Sequence, residues 1–351
     1  MKCLVTGGGG FIGSELVRQL IGRGHKVRVL LRKREIPSNL NGIEAEIFLG
    51  DIRDKDIVWK IVKGVDVVFH TASIYESTPF HVRYPKHLYE VNVEGTRNIC
   101  EAALQGGVKK LVYTSSTAAV GLRDDGKPAD ESIRLNFLAK RSHYEKSKAI
   151  AEEVALSYHQ KNLWVVAINP SFLIGPGDIR PTPTGEIIVK FLNRVYPCYF
   201  DGIVCLSDLT SAAKAHIDAL ELGKSGNRYI VAMDQHYSIR ELFEEIEKVS
   251  RIKAPRAKVP LRILFILSLI NEAVLGILGL RRRFRPIVPF ELMRYLTLRC
   301  SYDSSKAKKE LGFRSRSIGD ILRESVEWYM NNELIKVSSQ QIYFKRHDIQ
   351  N

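Results

Sequence analysis

Eight residues, TGGGGFIG from Thr6 to Gly13, separate a short apolar run, KCLV, from the apolar-periodic segment FIGSELVRQLIGRG. Glycine loses more conformational freedom on folding than any other residue, so glycines crowded between a strand and a helix mark a backbone that bends sharply while another group comes close. At a helix N-terminus that group is best a pyrophosphate, because the unpaired N–H groups and the helix dipole both favour an anion. The spacing T-G-x-x-G-x-x-G gives Gly7 the tight turn, Gly10 the close approach to phosphate and Gly13 the close packing of helix on strand. Phe11 and Ile12 open the helix and belong to the same cradle. A plain glycine turn is the competing reading, which the rest of the chain has to decide.

The first half alternates β-rich runs (KCLVT, KVRVLL, AEIFLG, VDVVFHT, KLVYTSS, LWVVAIN) with helical patterns around DKDIVWKIVKG, VNVEGTRNICEAALQGG and YEKSKAIAEEVALSYHQ. Alternation of this kind predicts an α/β fold, a Rossmann-type doubly wound parallel sheet with helices on both faces. Its ligand belongs in the crevice at the C-terminal strand ends. Pro176, Pro181 and Pro183 loosen the pattern from about Ile174. Residues 1–173, with about 206–231, are therefore expected to form the nucleotide-binding domain. Residues 174–205 and 232–335 form a smaller, mostly helical substrate lobe, and 336–351 a tail.

The second strand ends in LLRKRE, where an acidic residue would bind the ribose 2′-OH of NAD. Arg32, Lys33 and Arg34 suit instead the 2′-phosphate of NADP, so NADP(H) is favoured over NAD(H), with a solvated basic turn as the alternative. Cys3, Cys100, Cys198, Cys205 and Cys300 lie far apart, with neither a CxxC pair nor a metal-ligand cluster, so no metal is expected and a reducing compartment is. The N-terminus enters a strand at once and leaves no room for a signal peptide, so the cytoplasmic side is the default expectation.

The stretch YEKSK puts Tyr144 and Lys148 four residues apart on one helix face. An ammonium beside a phenol stabilises the phenolate and makes it a usable general acid or base. In these motifs together, the chain resembles the extended short-chain dehydrogenase/reductase family over nearly its whole length. The matching pieces are TGGGGFIG, GDIRD, DVVFHTAS, NVEGTRN, YTSSTAAVG, YEKSK and NPSFLIGPGD. The resemblance implies that Asp51, with Ile52 beside it, contacts the adenine and that the backbone of Thr71 and Ala72 lines the cofactor. Ser116 matches the catalytic serine, with Ser115 and Thr117 as neighbours that could hold the role. By the same resemblance Tyr144 would move the proton of the substrate oxygen, Lys148 would lower its pKa and bind the nicotinamide ribose, and Pro170 would approach the nicotinamide. The resemblance implies that Asn92 would help fix the active-site helix or relay a proton, although it also suits a helix cap.

Within that family the stretches LSDLTSAAKAHIDALELGKSGNRYIVA and YDSSKAKKELGFRSRSIGDILRESVEWY look most like the branch of dihydroflavonol reductases, 3β-hydroxysteroid dehydrogenases and hopanoid-associated epimerase-like proteins. Asp208 stands where that branch commonly has a pair of acids, and a structural role is expected for it. The branch implies reduction of a ketone, or oxidation of a secondary alcohol, on a hydrophobic steroid-, terpenoid- or flavonoid-like molecule. A nucleotide-sugar epimerase or dehydratase that recycles its cofactor, and a silent NAD(P)-sensing protein, are the other readings.

Charge bears on this choice. Of the formal +14, residues 251–300 hold eleven Lys or Arg against Glu272 and Glu291, a local balance of +9. The same region carries the most apolar run, Val259 to Pro286, which an interruption at Asn271 and Glu272 makes too broken for a simple span. No nucleic-acid motif accompanies it, so a greasy pocket wall, a peripheral membrane contact or an ordinary buried helical pair is expected. Family resemblance also implies a route to a homodimer, through the helices at 93–105 and 144–160.

Overall fold

A computed structural model describes residues 1–32, 37–75, 85–136, 142–277, 298 and 300–335. Strand β1 (Lys2–Thr6) is buried at every residue after Lys2, as a strand covered on both faces must be. It lies between β4 and β2 in a seven-stranded parallel sheet with β2 (Lys26–Leu31), β3 (Glu46–Leu49), β4 (Val67–His70), β5 (Lys110–Thr114), β6 (Trp164–Pro170) and β10 (Arg228–Val231), in the order β10-β6-β5-β4-β1-β2-β3. The crossovers carry helices α1 (Phe11–Gly22), α2 (Lys55–Val62), α4 (Gly95–Gln105) and α5 (His143–Ser157), with a short α3 (Lys86–Tyr89) before α4. This is the doubly wound fold expected from the strand–helix alternation.

Sheet register sets which side chains meet at the strand ends. Thr6 pairs with His70, His70 with Tyr113 and Tyr113 with Ala167, so polar side chains at three C-terminal strand ends stand in one row. Helix α5 starts from a reciprocal capping box. The Ser142 N–H donates to the Glu145 carboxylate at 2.8 Å and the Glu145 N–H to Ser142 Oγ at 3.2 Å. That cap fixes the first turn, on which Tyr144 sits. Helix α7 (Leu209–Leu222) is capped by the fully buried Asp208, which accepts from the N–H groups of Thr210 and Ser211 and from Ser211 Oγ. Asp208 thus has the structural place expected of it. Its neighbour Ser207 accepts from the Ser171 N–H at 3.0 Å and donates to the Val231 carbonyl.

The chain divides into two compact units, Met1–Ser171 with Ser207–Asp234 and Ser301–Ser315, and Phe172–Leu206 with Gln235–Cys300 and the C-terminal segment from Arg316. The expected boundaries at 173, 206 and 231 fall close by, but residues 301–315, expected in the second lobe, belong to the first unit. Backbone pairing explains the difference. Ala129 N–H donates to the Ser301 carbonyl and Asp303 N–H to the Ala129 carbonyl, both at 2.9 Å. Lys306 Nζ then reaches Asn227 Oδ1 at 2.8 Å and the Arg228 carbonyl at 3.0 Å. The expected tail, 336–351, lies outside the described residues.

In the second unit β7 (Phe172–Ile174), β9 (Ile203–Asp208) and β11 (His236–Ser238) form a small sheet, while β8 (Cys198–Tyr199) pairs with β12 (Ala257–Lys258). Helix α6 (Pro183–Leu192) begins on a Thr182 cap, and α8 (Ile239–Ser250) on a Ser238–Glu241 capping box. Asp178 is buried and accepts from Thr182 N–H and Oγ1, both at 2.8 Å, and from the Tyr329 hydroxyl at 3.2 Å. Burial nevertheless pushes its carboxyl up to about 6. Helix α9 (Leu261–Ile277) runs unbroken through Asn271 and Glu272, which interrupt the apolar run and not the helix. Both residues cost a helix only a fraction of a kcal/mol, well short of a break.

Candidate active site

The glycine loop follows β1. Gly7 has φ +70, and a Cβ there would lie 2.7 Å from Ala72 Cα, so the turn needs both its left-handed backbone and its bare surface. A Cβ on Gly13 would lie 2.3 Å from the Gly7 carbonyl oxygen and 2.8 Å from Thr71 Oγ1, which is the close packing that brings α1 onto the loop. Gly10 donates to the Gly7 carbonyl at 2.8 Å and is the N-cap residue of α1. The next N–H groups, of Phe11, Ile12 and Gly13, are those for which a helix has no internal acceptor. Thr71 Oγ1 donates to the Thr6 carbonyl at 2.7 Å and ties the end of β4 to the loop.

Arg32 is exposed immediately after β2, while Lys33 and Arg34 lie outside the described residues. The Asp51 carboxylate is taken by Arg53, at 2.9 and 3.0 Å, and hydrogen bonding to that guanidinium holds it below the usual carboxylate range. The Ile52 side chain turns into the core beneath Gly95, so only its backbone is left for a ligand.

The chemistry gathers at the ends of β5 and β6. Ser116 Oγ accepts from the Ala118 N–H at 3.1 Å and stands near enough to the Tyr144 hydroxyl to act on its titration. Removal from water pushes the Tyr144 phenol up to about 12, against a lowering by Ser116. The ring of Tyr75 stands edge-on to that of Tyr144, centroids 4.8 Å apart. One turn along α5, Lys148 is buried, and its Nζ donates to the Tyr113 hydroxyl at 3.0 Å and the Thr114 carbonyl at 2.8 Å. Burial lowers its pKa to about 7, with Glu152 pulling the other way.

Behind this pair lies a buried relay that sequence reading missed. Thr96 Oγ1 donates to the Asn92 carbonyl at 2.7 Å and meets His70 Nε2 at 3.0 Å. Because Thr96 gives its proton to Asn92, His70 must donate from Nε2 and accept at Nδ1 from Thr6 Oγ1, 2.7 Å away. Burial drives the His70 pKa down to about 3 and keeps that tautomer neutral. Asn92 is not a cap. It stands in a π-helical turn, Glu90–Glu94, and its amide bonds the Ile74 N–H at 2.9 Å, the Ile74 carbonyl at 3.1 Å and Ser147 Oγ at 3.0 Å. It therefore pins α5 to the segment after β4.

A second buried network holds Ser116 from the other side. Arg228 donates to Glu152 at 2.8 Å and to the Glu131 and Ile133 carbonyls, and Glu152 also accepts from Asn169 Nδ2, which in turn reaches the Ser116 carbonyl at 3.0 Å. His216 on α7 donates from Nδ1 to the Ala212 carbonyl, leaving Nε2 to accept from Thr114 Oγ1 at 2.9 Å. The signals in sequence were Glu152 one turn beyond Lys148 and the histidine in KAHIDAL.

Residues 3–211 match the model of the NAD dependent epimerase/dehydratase family. The chain belongs to that family. A Synechocystis protein provisionally named dihydroflavonol 4-reductase is 37% identical over 95% of both chains. Sterol demethylase protein B of Methylococcus capsulatus is 29% identical over 95% of this chain and 100% of its own. Among solved structures, that of gox2253 has a TM-score of 0.80 and 35% identity, covering 95% of this chain and 99% of its own. Family members with these motifs are extended short-chain dehydrogenases/reductases, and the chain is a nicotinamide-dependent oxidoreductase of that class.

The residues present fit a nicotinamide dinucleotide. The first turn of α1 has N–H groups without an internal acceptor, as a pyrophosphate needs, and two buried polar atoms beside Ser116, Ser115 Oγ and Asn169 Oδ1, have no protein partner. Gly7, Gly10 and Gly13 would hold the pyrophosphate, and Lys148 with the ends of β5 and β6, including Pro170, the nicotinamide end. Among the described residues no cluster of His, Cys, Asp or Glu could hold a metal.

Proposed function

We propose that the chain reduces a ketone, or oxidises the matching secondary alcohol, on a hydrophobic small molecule, with NADP(H) as the preferred cofactor. The Ser116 hydroxyl beside that of Tyr144, with Tyr144 one helical turn from the buried Lys148, is the observation that carries this reading. When bound, the nicotinamide supplies or accepts the hydride. Ser116 and Tyr144 hold the substrate oxygen, and Tyr144, whose raised pKa keeps it protonated at neutral pH, gives its proton to the alkoxide as charge develops there. Lys148, in its ammonium form, stabilises the phenolate left behind, and Tyr113 and Thr114 hold that ammonium in place.

The names of relatives support a hydrophobic substrate: besides those above, a Mycolicibacterium neoaurum 3-beta-hydroxysteroid dehydrogenase is 36% identical over half of this chain. Exposed Arg32 at the end of β2 supports the 2′-phosphate. Nucleotide-sugar enzymes share the fold, as with the dTDP-glucose 4,6-dehydratase DesIV, at TM-score 0.74 and 23% identity.

The test is NADPH oxidation against a panel of steroid, terpenoid and flavonoid ketones, with nucleotide sugars in parallel. Stoichiometric NADPH consumption with a hydrophobic ketone is expected, and Tyr144→Phe should lower kcat by ~10²-fold or more while leaving NADPH affinity within a few-fold. Conversion of a nucleotide sugar without net NADPH consumption would replace this reading with the epimerase one. NADPH binding with no turnover of any substrate would favour a sensor.

A further inference from the structure

Helix α9 inverts the usual pattern of a surface helix. Ile263, Ile266, Leu267, Ile270 and Val274 recur at i, i+3, i+4, i+7 and i+11 and form one stripe, which Leu269 borders, and all six are between 41% and 57% exposed. The inward side is Ser268, 6% exposed, with Leu261 and Leu264 partly buried. A contiguous apolar stripe of this length on the outside of a compact unit marks an interaction surface. Immediately before it, Arg251, Lys253, Arg256, Lys258 and Arg262 are exposed, and Lys258 alone among them has an ion-pair partner in the described residues, Asp201 at 2.8 Å.

We propose that α9 docks the protein on an anionic bilayer surface, with its apolar stripe in the headgroup–acyl boundary and the preceding cations against lipid phosphates. Charge selects this occupant. A second copy closing on the same stripe would bring two of these positively charged regions into one interface. The exposed Arg251, Lys253, Arg256 and Arg262 of the two copies would repel across such an interface, whereas an anionic leaflet attracts the same charges. Docking at the interface is also what the length allows, since no helix among the described residues is long and apolar enough to cross a membrane. This surface is independent of the reaction proposed above.

The experiment is co-sedimentation of the full chain with vesicles of phosphatidylcholine alone or mixed with phosphatidylglycerol, at low and high salt. Wild type is expected to pellet with the mixed vesicles, with a partition coefficient roughly tenfold or more above that for neutral vesicles and reduced by salt. Ile266→Glu/Ile270→Glu, both at exposed positions that keep the fold, should lower that partition by at least about tenfold while NADPH binding is retained. Lys253→Glu/Arg256→Glu should remove the preference for anionic lipid. Wild type remaining in the supernatant with both vesicle types would overturn the proposal, as would equal binding to both or unchanged binding of the isoleucine variant. Gel filtration of wild type as a dimer that the isoleucine variant disperses, without pelleting, would assign the stripe to a second copy instead.

Discussion

Replacing Glu152 by Ala tests whether the buried Arg228 network is what holds the Ser116 end of β5. Both partners are nearly inaccessible, with side-chain exposures of 4% for Arg228 and 2% for Glu152, and their ion pair is 2.8 Å long. The variant leaves a guanidinium in the interior with only the two carbonyls of Glu131 and Ile133, and it frees Asn169 Nδ2 to bond the Ser116 carbonyl alone. Removing one member of a buried pair costs about 3–5 kcal/mol, because the remaining charge stays desolvated. For a cooperative unit of roughly 200 residues the unfolding entropy near the midpoint is about 0.4 kcal/mol/K, so about 4 kcal/mol lowers Tm by roughly 10 °C. Scanning calorimetry and urea unfolding measure it. Glu152→Met/Arg228→Met should be less destabilised than the sum of the two single changes, because neither charge is then left alone. A Glu152→Ala loss below ~1 kcal/mol, or strict additivity in the cycle, would mean that solvent reaches the pair and that the network does not anchor the site.

Arg32→Ala should weaken NADPH several-fold or more and leave NADH nearly unchanged, measured by fluorescence titration, since only NADPH presents a 2′-phosphate to that exposed guanidinium. Equal weakening of both would make Arg32 a solvated turn residue. Asp178 governs a pH window in the second unit. Its folded pKa, about 6, is raised above the ordinary aspartate value of 3.8, so its contribution to stability is full below about pH 4 and is lost as pH rises through about 6. Asp178→Asn should flatten that part of the stability–pH curve in urea unfolding, and an unchanged slope between those values would refute the assignment.

Much of the first unit was legible because its determinants are local. A glycine that must adopt positive φ, the change from strand to helix periodicity, and a Tyr and a Lys one turn apart are set by residues within a few positions of each other. Gly7, Gly13, Tyr144 and Lys148 could therefore be read from the sequence as members of a site before any strand was paired with another. What the sequence alone did not contain was the pairing. The acceptors of Lys148, at Tyr113 and Thr114, lie some 35 residues away, and Arg228 lies 76 from Glu152. They meet because sheet register aligns the ends of β1, β4, β5 and β6 in one row, and register depends on every strand at once. The same holds for residues 301–315, which backbone pairing at Ala129 drew into the first unit. The apolar run at 261–277 shows the limit most plainly. Sequence determined that it was apolar and flanked by charge, but only tertiary packing decided which side of the helix faced outward, since hydrophobicity has no direction until neighbouring elements cover one face and leave the other to solvent.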